Sequence, residues 1–292
     1  MKIKLAVVIA FVALGNVLAG YYLEDIYTMS VIILGITAVG FVALYMWLLK
    51  PIQDMQKRLR QMEEENRQLE VMRKEFVANV THELRTPLTS IIGFIETLQD
   101  GAADDPEIRN KFIDIIAIET SRLKRLIEDT LVLSDIESKN VGRHEKINIK
   151  AATQEIIAVM EPIAHKNKVT ILSDVDANLF IWGHEDRFRQ MLVNIVENAI
   201  KYSNEGGRVW IEGRLLYGKI VITVRDEGIG ISKENLDRLF ERFYRVDKSR
   251  SRKVGGTGLG LSIVKHIAVL FDAEIQVDSK LGEGSTFTIS FR

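Results

Sequence analysis

The sequence predicts a multidomain protein: two transmembrane helices, a coiled-coil helix, a helical hairpin that dimerises into a four-helix bundle, and a mixed α/β domain. Three observations predict it. Two nearly uncharged apolar runs open the chain. A charged stretch follows in which apolar residues recur at spacings of three and four. From about Lys146 strand and helix signals alternate, with glycine concentrated between Gly228 and Gly284. The expected segments are 1–49 as a membrane anchor with a short external loop, 50–75 as a coiled-coil linker, 76–140 as the hairpin and 145–292 as the α/β domain.

Leu5 to Tyr22 and Tyr27 to Leu49 each approach the roughly 20 apolar residues that cross a bilayer as a helix. Glu24 and Asp25 lie between them. Lys2 and Lys4 precede the first run, and Lys50, Lys57, Arg58 and Arg60 follow the second, so both flanks are expected on the cytoplasmic side of the cell membrane. Val17-Leu18-Ala19 could alternatively end a cleaved signal peptide. Asn16 inside the first run is either a helix–helix contact or a tolerated polar residue.

Ile52, Met55, Leu59, Met62, Asn66 and Leu69 follow the spacing of a coiled-coil seam, in which Asn66 would favour one register of a two-stranded assembly. By pattern alone a single solvated helix is the alternative. The stripe continues through Phe76, Val80, Leu84, Pro87, Ile91, Phe94 and Leu98, and stops at the turn residues Gly101 to Pro106. A second amphipathic segment from about Glu107 to Ser138 turns Phe112, Ile116, Leu123, Leu126 and Leu133 inward. One hairpin offers little core, and pairing two in a homodimer buries both stripes.

In the α/β part, 169–172, 208–212, 220–224, 274–277 and 285–290 read as strands. Segments 151–165, 185–202 and 259–270 read as helices. The net charge of −1 gives no reason to expect a nucleic-acid partner. The absence of cysteine removes disulfides, thiol catalysis, iron–sulfur clusters and cysteine-based zinc sites.

His82 is informative because of where a helix places it. At 100° per residue it falls about 200° from Val80, away from the apolar stripe, with Glu83 adjacent and Thr86 one turn on. An exposed neutral imidazole can attack a phosphoryl group through one nitrogen while Glu83 accepts or orients the proton on the other. Alone, an exposed helical histidine beside a glutamate is better read as a plain surface feature. A zinc-protease motif needs a second histidine where Thr86 stands. The run Phe76-Val77-Ala78-Asn79-Val80-Thr81-His82-Glu83-Leu84-Arg85-Thr86-Pro87-Leu88-Thr89-Ser90-Ile91 resembles the H-box of class I sensor histidine kinases, within which the chain is most similar to a PhoR-like group. The resemblance implies that His82 is the phosphoacceptor, Glu83 the base and Thr86 a residue that places water for dephosphorylating the partner. Pro87 is then the usual kink and ends the reactive turn.

On the segment 185–202, Phe188, Met191, Leu192, Ile195 and Ala199 share one arc while Asn194, Asn198 and Lys201 share another. Amide oxygens suit Mg²⁺ held mainly by phosphates, although a solvated polar face explains the pattern as well. The segment Asn194 to Tyr202 resembles the family's N-box. That match implies Asn198 as the Mg²⁺ ligand, Asn194 and Lys201 near the metal and phosphates, and Tyr202 near the ribose or base. Asp226-Glu227-Gly228-Ile229-Gly230-Ile231 resembles the G1 box, in which Asp226 selects adenine and Gly228 and Gly230 admit the ring. Phe240 to Arg245 resembles the F-box, with Arg245 toward the terminal phosphate. Val246 to Val254 suggests a lid over ATP, in which Lys248, Arg250, Arg252 and Lys253 are either phosphate contacts or solvated side chains. Gly255-Gly256-Thr257-Gly258-Leu259-Gly260-Leu261 resembles the G2 box, whose backbone N–H groups attract phosphate. Gly282 to Phe287 resembles the last glycine box.

These ordered motifs imply an α/β sandwich of the Bergerat (GHKL) ATPase type and a two-component sensor kinase. ATP and Mg²⁺ are its expected cofactors, and its expected partner is the receiver domain of a response regulator. The short external loop leaves no room for a folded extracellular sensor. A signal is therefore expected through the membrane segments and lipid, a membrane sensory partner, or the coiled coil. Two other readings use some of the same residues. An ATPase of the chaperone or mismatch-repair kind explains Asn198 and Asp226 but not His82-Glu83, and a non-catalytic scaffold or phosphatase-only protein has no need of Lys201 and the glycine boxes.

Overall fold

The computed structural model describes residues 2–22, 26–137, 144–246 and 256–292. Glu24 and Asp25 of the expected external loop, and Lys248, Arg250, Arg252 and Lys253 of the expected lid, lie outside the described residues. The chain divides into two compact units, Met1–Glu75 and Phe76–Arg292.

In the first unit α1 (Lys2–Tyr22) packs against α2 (Ile26–Leu44), and a π-helical turn at Tyr45–Leu49 leads into α3 (Lys50–Gln99). Gly15 makes the pairing close, because a Cβ there would sit 2.7 Å from Ile36 Cδ1. Phe11, Val31, Leu34 and Phe41 are exposed. Among the described residues, one helical run, beginning at Ile26, is long and apolar enough to cross a membrane. The first helix carries the shorter apolar stretch Val8–Gly20. Ile52, Met55, Leu59, Met62 and Leu69 of α3 are all exposed in the single chain.

In the second unit α3 is joined to α4 (Pro106–Glu137) through Gly101, at φ +108°, and a short 3₁₀ turn at Ala102–Asp104. Asp105 caps α4: its Oδ1 accepts from the N–H of Glu107 at 2.9 Å and of Ile108 at 3.3 Å, with Pro106 at the first helical position. Phe94 and Phe112 close the hairpin, with ring centroids 4.9 Å apart. Pro87 does not end the reactive turn, contrary to the sequence expectation. It is buried inside α3, which continues to Gln99, so packing compensates for the amide that proline lacks.

The α/β part contains β1 (Glu145–Asn148), α5 (Ile149–Lys166), β2 (Thr170–Val175), β3 (Phe180–Gly183), α6 (Glu185–Tyr202), β4 (Arg208–Leu216), β5 (Lys219–Asp226), α7 (Lys233–Leu236), α8 (Gly260–Leu270), β6 (Ala273–Lys280) and β7 (Gly284–Phe291). The main sheet has the order β2-β4-β5-β7-β6, parallel only between β2 and β4. Helices α5, α6 and α8 cover one face. Phe188, Met191, Leu192, Ile195, Ile263 and Ile267 fill the layer between helices and sheet. Strands β1 and β3 form a separate antiparallel pair that periodicity does not reveal, since each has only four residues. The five strands read from sequence extend further than expected, β4 to Leu216 and β2 to Val175.

Candidate nucleotide and phosphoacceptor site

Helix α6, the end of β5 and the segment before α8 surround a cavity of about 350 Å³, a size suited to a small ligand. Asn194, Asn198, Lys201, Tyr202, Asp226, Gly230, Arg245, Gly256, Thr257, Gly258 and Gly260 all line it. Gly228 and Leu259 do not. A Cβ on Gly228 would meet the Tyr202 carbonyl oxygen at 2.3 Å, so this glycine serves the packing of β5 against the end of α6. Leu259 is fully buried in the core.

One end of the cavity is built for a neutral donor-bearing ring. Asp226 ends β5 and is buried, and its Oδ1 accepts from the N–H of Gly228 at 2.8 Å and of Ser285 at 3.3 Å. Both bonds go to one oxygen, which leaves Oδ2 for a ligand amino group. Burial pushes this carboxyl above the ordinary carboxylate range, against the pull of the two backbone hydrogen bonds. Ile229, Ile231, Leu239 and Phe287 supply apolar walls that the motifs did not single out.

The other end is polar. Lys201 Nζ lies 2.6 Å from Glu197 Oε1, one helical turn away. Asn194 Nδ2 is closed off from solvent and has no hydrogen-bond partner among the described residues. A buried amide donor of this kind can be satisfied by an acceptor that a ligand brings into the cavity. No cluster of three or more acidic or histidine side chains that could hold a metal ion exists among the described residues. This donor set fits Mg²⁺ that arrives with phosphates and takes an amide oxygen such as that of Asn198. Gly258, at φ +76°, approaches the backbone of Phe243, where a Cβ would lie 2.9 Å from the Phe243 carbonyl carbon. Phe243 itself has φ +64° and donates its N–H to Gly258 O at 2.8 Å. The F-box and G2-box segments are thereby locked together.

His82 and Thr86 are exposed on α3, outside the cavity lining, and Glu83 is partly buried. The link between histidine and cavity runs through Glu83. Its Oε2 accepts from Arg245 Nη2 at 3.0 Å and from Arg122 Nη2 of α4 at 2.9 Å. Arg245 also donates to the Thr257 carbonyl at 2.8 Å. Phe76 packs on Phe243, centroids 5.9 Å apart, and Arg242 stands over the Phe76 ring. On α4, Asp129 Oδ2 accepts from Thr257 Oγ1 at 2.6 Å, and Arg125 approaches Glu197 at 3.7 Å. Burial raises the Asp129 carboxyl above its ordinary value, while the Thr257 hydrogen bond opposes the rise.

Arg122, Arg125, Asp129 and Glu197 were not among the residues expected at the site. A signal existed: Arg122, Leu126, Asp129 and Leu133 follow the four-three-four spacing of one helix face, so a cation and an anion share the buried stripe of α4.

The family described as histidine kinase-, DNA gyrase B- and HSP90-like ATPase matches residues 183–292, and the His kinase A (phospho-acceptor) domain matches residues 72–139. The chain belongs to the class I histidine kinases. It is 41% identical over 233 residues to the sensor histidine kinase WalK of Bacillus subtilis, a match covering 77% of this chain and 38% of that one. It thus spans well under two thirds of that relative's own length. The chain is also similar to solved structures. The histidine kinase ThkA in complex with the response regulator protein TrrA gives a TM-score of 0.60 at 27% identity, over 80% of this chain and 66% of that one. Full-length ShkA in complex with AMPPNP gives 0.54 at 26% identity, over 74% and 45%.

Proposed function

We propose that the chain is a membrane-anchored sensor kinase that phosphorylates its own His82 from Mg²⁺–ATP and passes the phosphoryl group to an aspartate of a response regulator. The observation that carries this reading is Arg245, which lines the nucleotide cavity and also pairs with the glutamate beside His82. The ShkA structure holds AMPPNP and the ThkA structure holds a response regulator, which supports both substrates by analogy.

The chemistry is phosphoryl transfer, in which positioning and charge neutralisation do most of the catalysis. Asp226 accepts from the adenine amino group, and Asn194, Lys201 and Arg245 face the phosphates. Asn198 would hold Mg²⁺, which neutralises phosphate charge. One imidazole nitrogen of His82 forms the new bond to the terminal phosphorus, the bond from that phosphorus to the bridging oxygen breaks, and ADP leaves with the electron pair. The proton on the other ring nitrogen is accepted by Glu83. Thr86 is exposed one turn from His82, and its hydroxyl donates to the His82 carbonyl at 3.3 Å, a position suited to water-mediated dephosphorylation of the partner.

The working organisation has a two-span anchor in the cell membrane at 1–49, a coiled-coil linker at 50–75, a dimerising phosphoacceptor hairpin at 76–140 and the ATP-binding domain at 145–292, facing the cytoplasm. The exposed seam from Ile52 to Leu69 supports pairing of two copies. A change in helix rotation along that seam would carry the stimulus by altering populations of kinase and phosphatase states. The test is incubation of the full chain in detergent micelles with γ-labelled ATP and Mg²⁺, beside His82→Gln and Asn198→Asp. Acid-labile, alkali-stable label absent from both variants is the expected result. ATP binding without label would instead favour an ATPase or a phosphatase-only protein.

A further inference from the structure

Arg122 is 6% exposed on α4, beside Leu126 and Leu133 at 3% and 1%. Burying a guanidinium costs several kcal/mol unless it is paired, and an apolar side chain of similar volume often serves stability as well or better. Its closest partner is Glu83 on α3 of the same hairpin, at 2.9 Å, with Glu119 at 3.7 Å on its own helix. The family motifs assign Glu83 a role but say nothing of Arg122.

Glu83 Oε2 has a second guanidinium partner, Arg245, which differs in one respect. Arg245 belongs to the ATP-binding domain and is also bonded to Thr257 there, so it leaves with that domain when the docking changes. Arg122 is fixed to the hairpin. If Arg245 is to face a terminal phosphate, it must release Glu83, and a carboxylate without a second anchor would follow it or turn to solvent. We propose that Arg122 is a positioning residue for Glu83, holding the carboxylate beside His82 while Arg245 passes from Glu83 to the nucleotide. A charge-assisted, largely buried hydrogen bond has the geometry and strength for this, and it fixes the acceptor without touching the nucleotide.

The inference rests on the kinase reading above, and the experiment separates the two. Initial rates of His82 labelling against ATP concentration are measured for the full chain in detergent micelles, for wild type, Arg122→Met and Arg122→Lys. Arg122→Met preserves length and packing and removes the donor. We expect kcat to fall about tenfold or more, part of the 10²–10⁴ typical of general-base assistance, with KM for ATP within about twofold of wild type. Arg122→Lys should recover part of kcat, since a cationic donor that can still bond Glu83 remains. A wild-type kcat in Arg122→Met overturns the assignment. So does a kcat loss that lysine does not rescue, or one matched by an equal rise in KM, because either is what loosened packing produces. Should Arg122→Met fail to fold, Arg122→Leu, which also has no donor, takes its place with the same expectations. Wild-type protein that binds ATP and takes no label overturns the kinase reading itself, and this inference with it.

Discussion

Arg245 Nη2 lies 3.0 Å from Glu83 Oε2, so a guanidinium lining the nucleotide cavity grips the carboxylate next to His82. While that pair stands, Glu83 Oε2 accepts from two guanidinium groups, Arg122 and Arg245. If Glu83 is the base, the docked arrangement restrains it, and a nucleotide phosphate would compete with Glu83 for Arg245.

Glu83→Gln weakens that competition by removing the charge. Labelling of His82 should fall by 10²-fold or more, while ATP binds roughly threefold to tenfold more tightly. Calorimetric titration of the variant with an unhydrolysable ATP analogue checks the second half. Unchanged or weaker affinity would show that Glu83 and phosphate do not share Arg245.

Asp129 gives a pH dependence of defined sign. Burial raises its carboxyl from 3.8 in the folded protein, so its contribution to stability is fully present below the ordinary value. That contribution is lost as pH rises through the raised one. Asp129→Asn has no such titration. The melting temperature of wild type minus that of Asp129→Asn should decline as pH increases from about 4 toward neutrality. A difference that grows with pH would contradict the burial argument.

Asn198→Asp places a carboxylate where phosphates are expected. Affinity for ATP should weaken by about tenfold or more, and label on His82 should disappear, as it should for wild type when EDTA removes Mg²⁺. Binding of adenosine, which has no phosphate, should change little in either case. A fluorescent nucleotide displacement assay reads the two affinities, and incubation with γ-labelled ATP reads the label.

Gly230 has φ +66°, and a Cβ there would sit 2.0 Å from the Lys280 carbonyl oxygen, a backbone atom that cannot turn aside. Gly230→Ala should cost on the order of 3 kcal/mol of stability and weaken nucleotide binding, because Gly230 lines the cavity. Chemical denaturation with and without ADP separates the two effects. Wild-type stability would mean that the β6–β7 turn yields.

Much of the chemistry was legible because it is local. Asn194, Asn198 and Lys201 fall on one face of α6 by helical geometry, and all three line the cavity. His82 is exposed for the same reason. The glycine boxes announce themselves because only glycine tolerates the close approaches at Gly230 and Gly258. Strands β1 and β3 escaped because four-residue strands leave no period to detect.

By itself the sequence determined the order of the segments, the amphipathic faces and the residue types at each box, since these follow from spacing along one helix or one turn. Only the tertiary structure decided that Glu83 meets Arg122 and Arg245, 39 and 162 residues away, and that Thr257 is held by Asp129 across 128 residues. Such pairings depend on how the ATP-binding domain docks on the hairpin. Docking is set by the summed packing of Phe76 on Phe243 and of α4 on α8, a property of surfaces that no local pattern records.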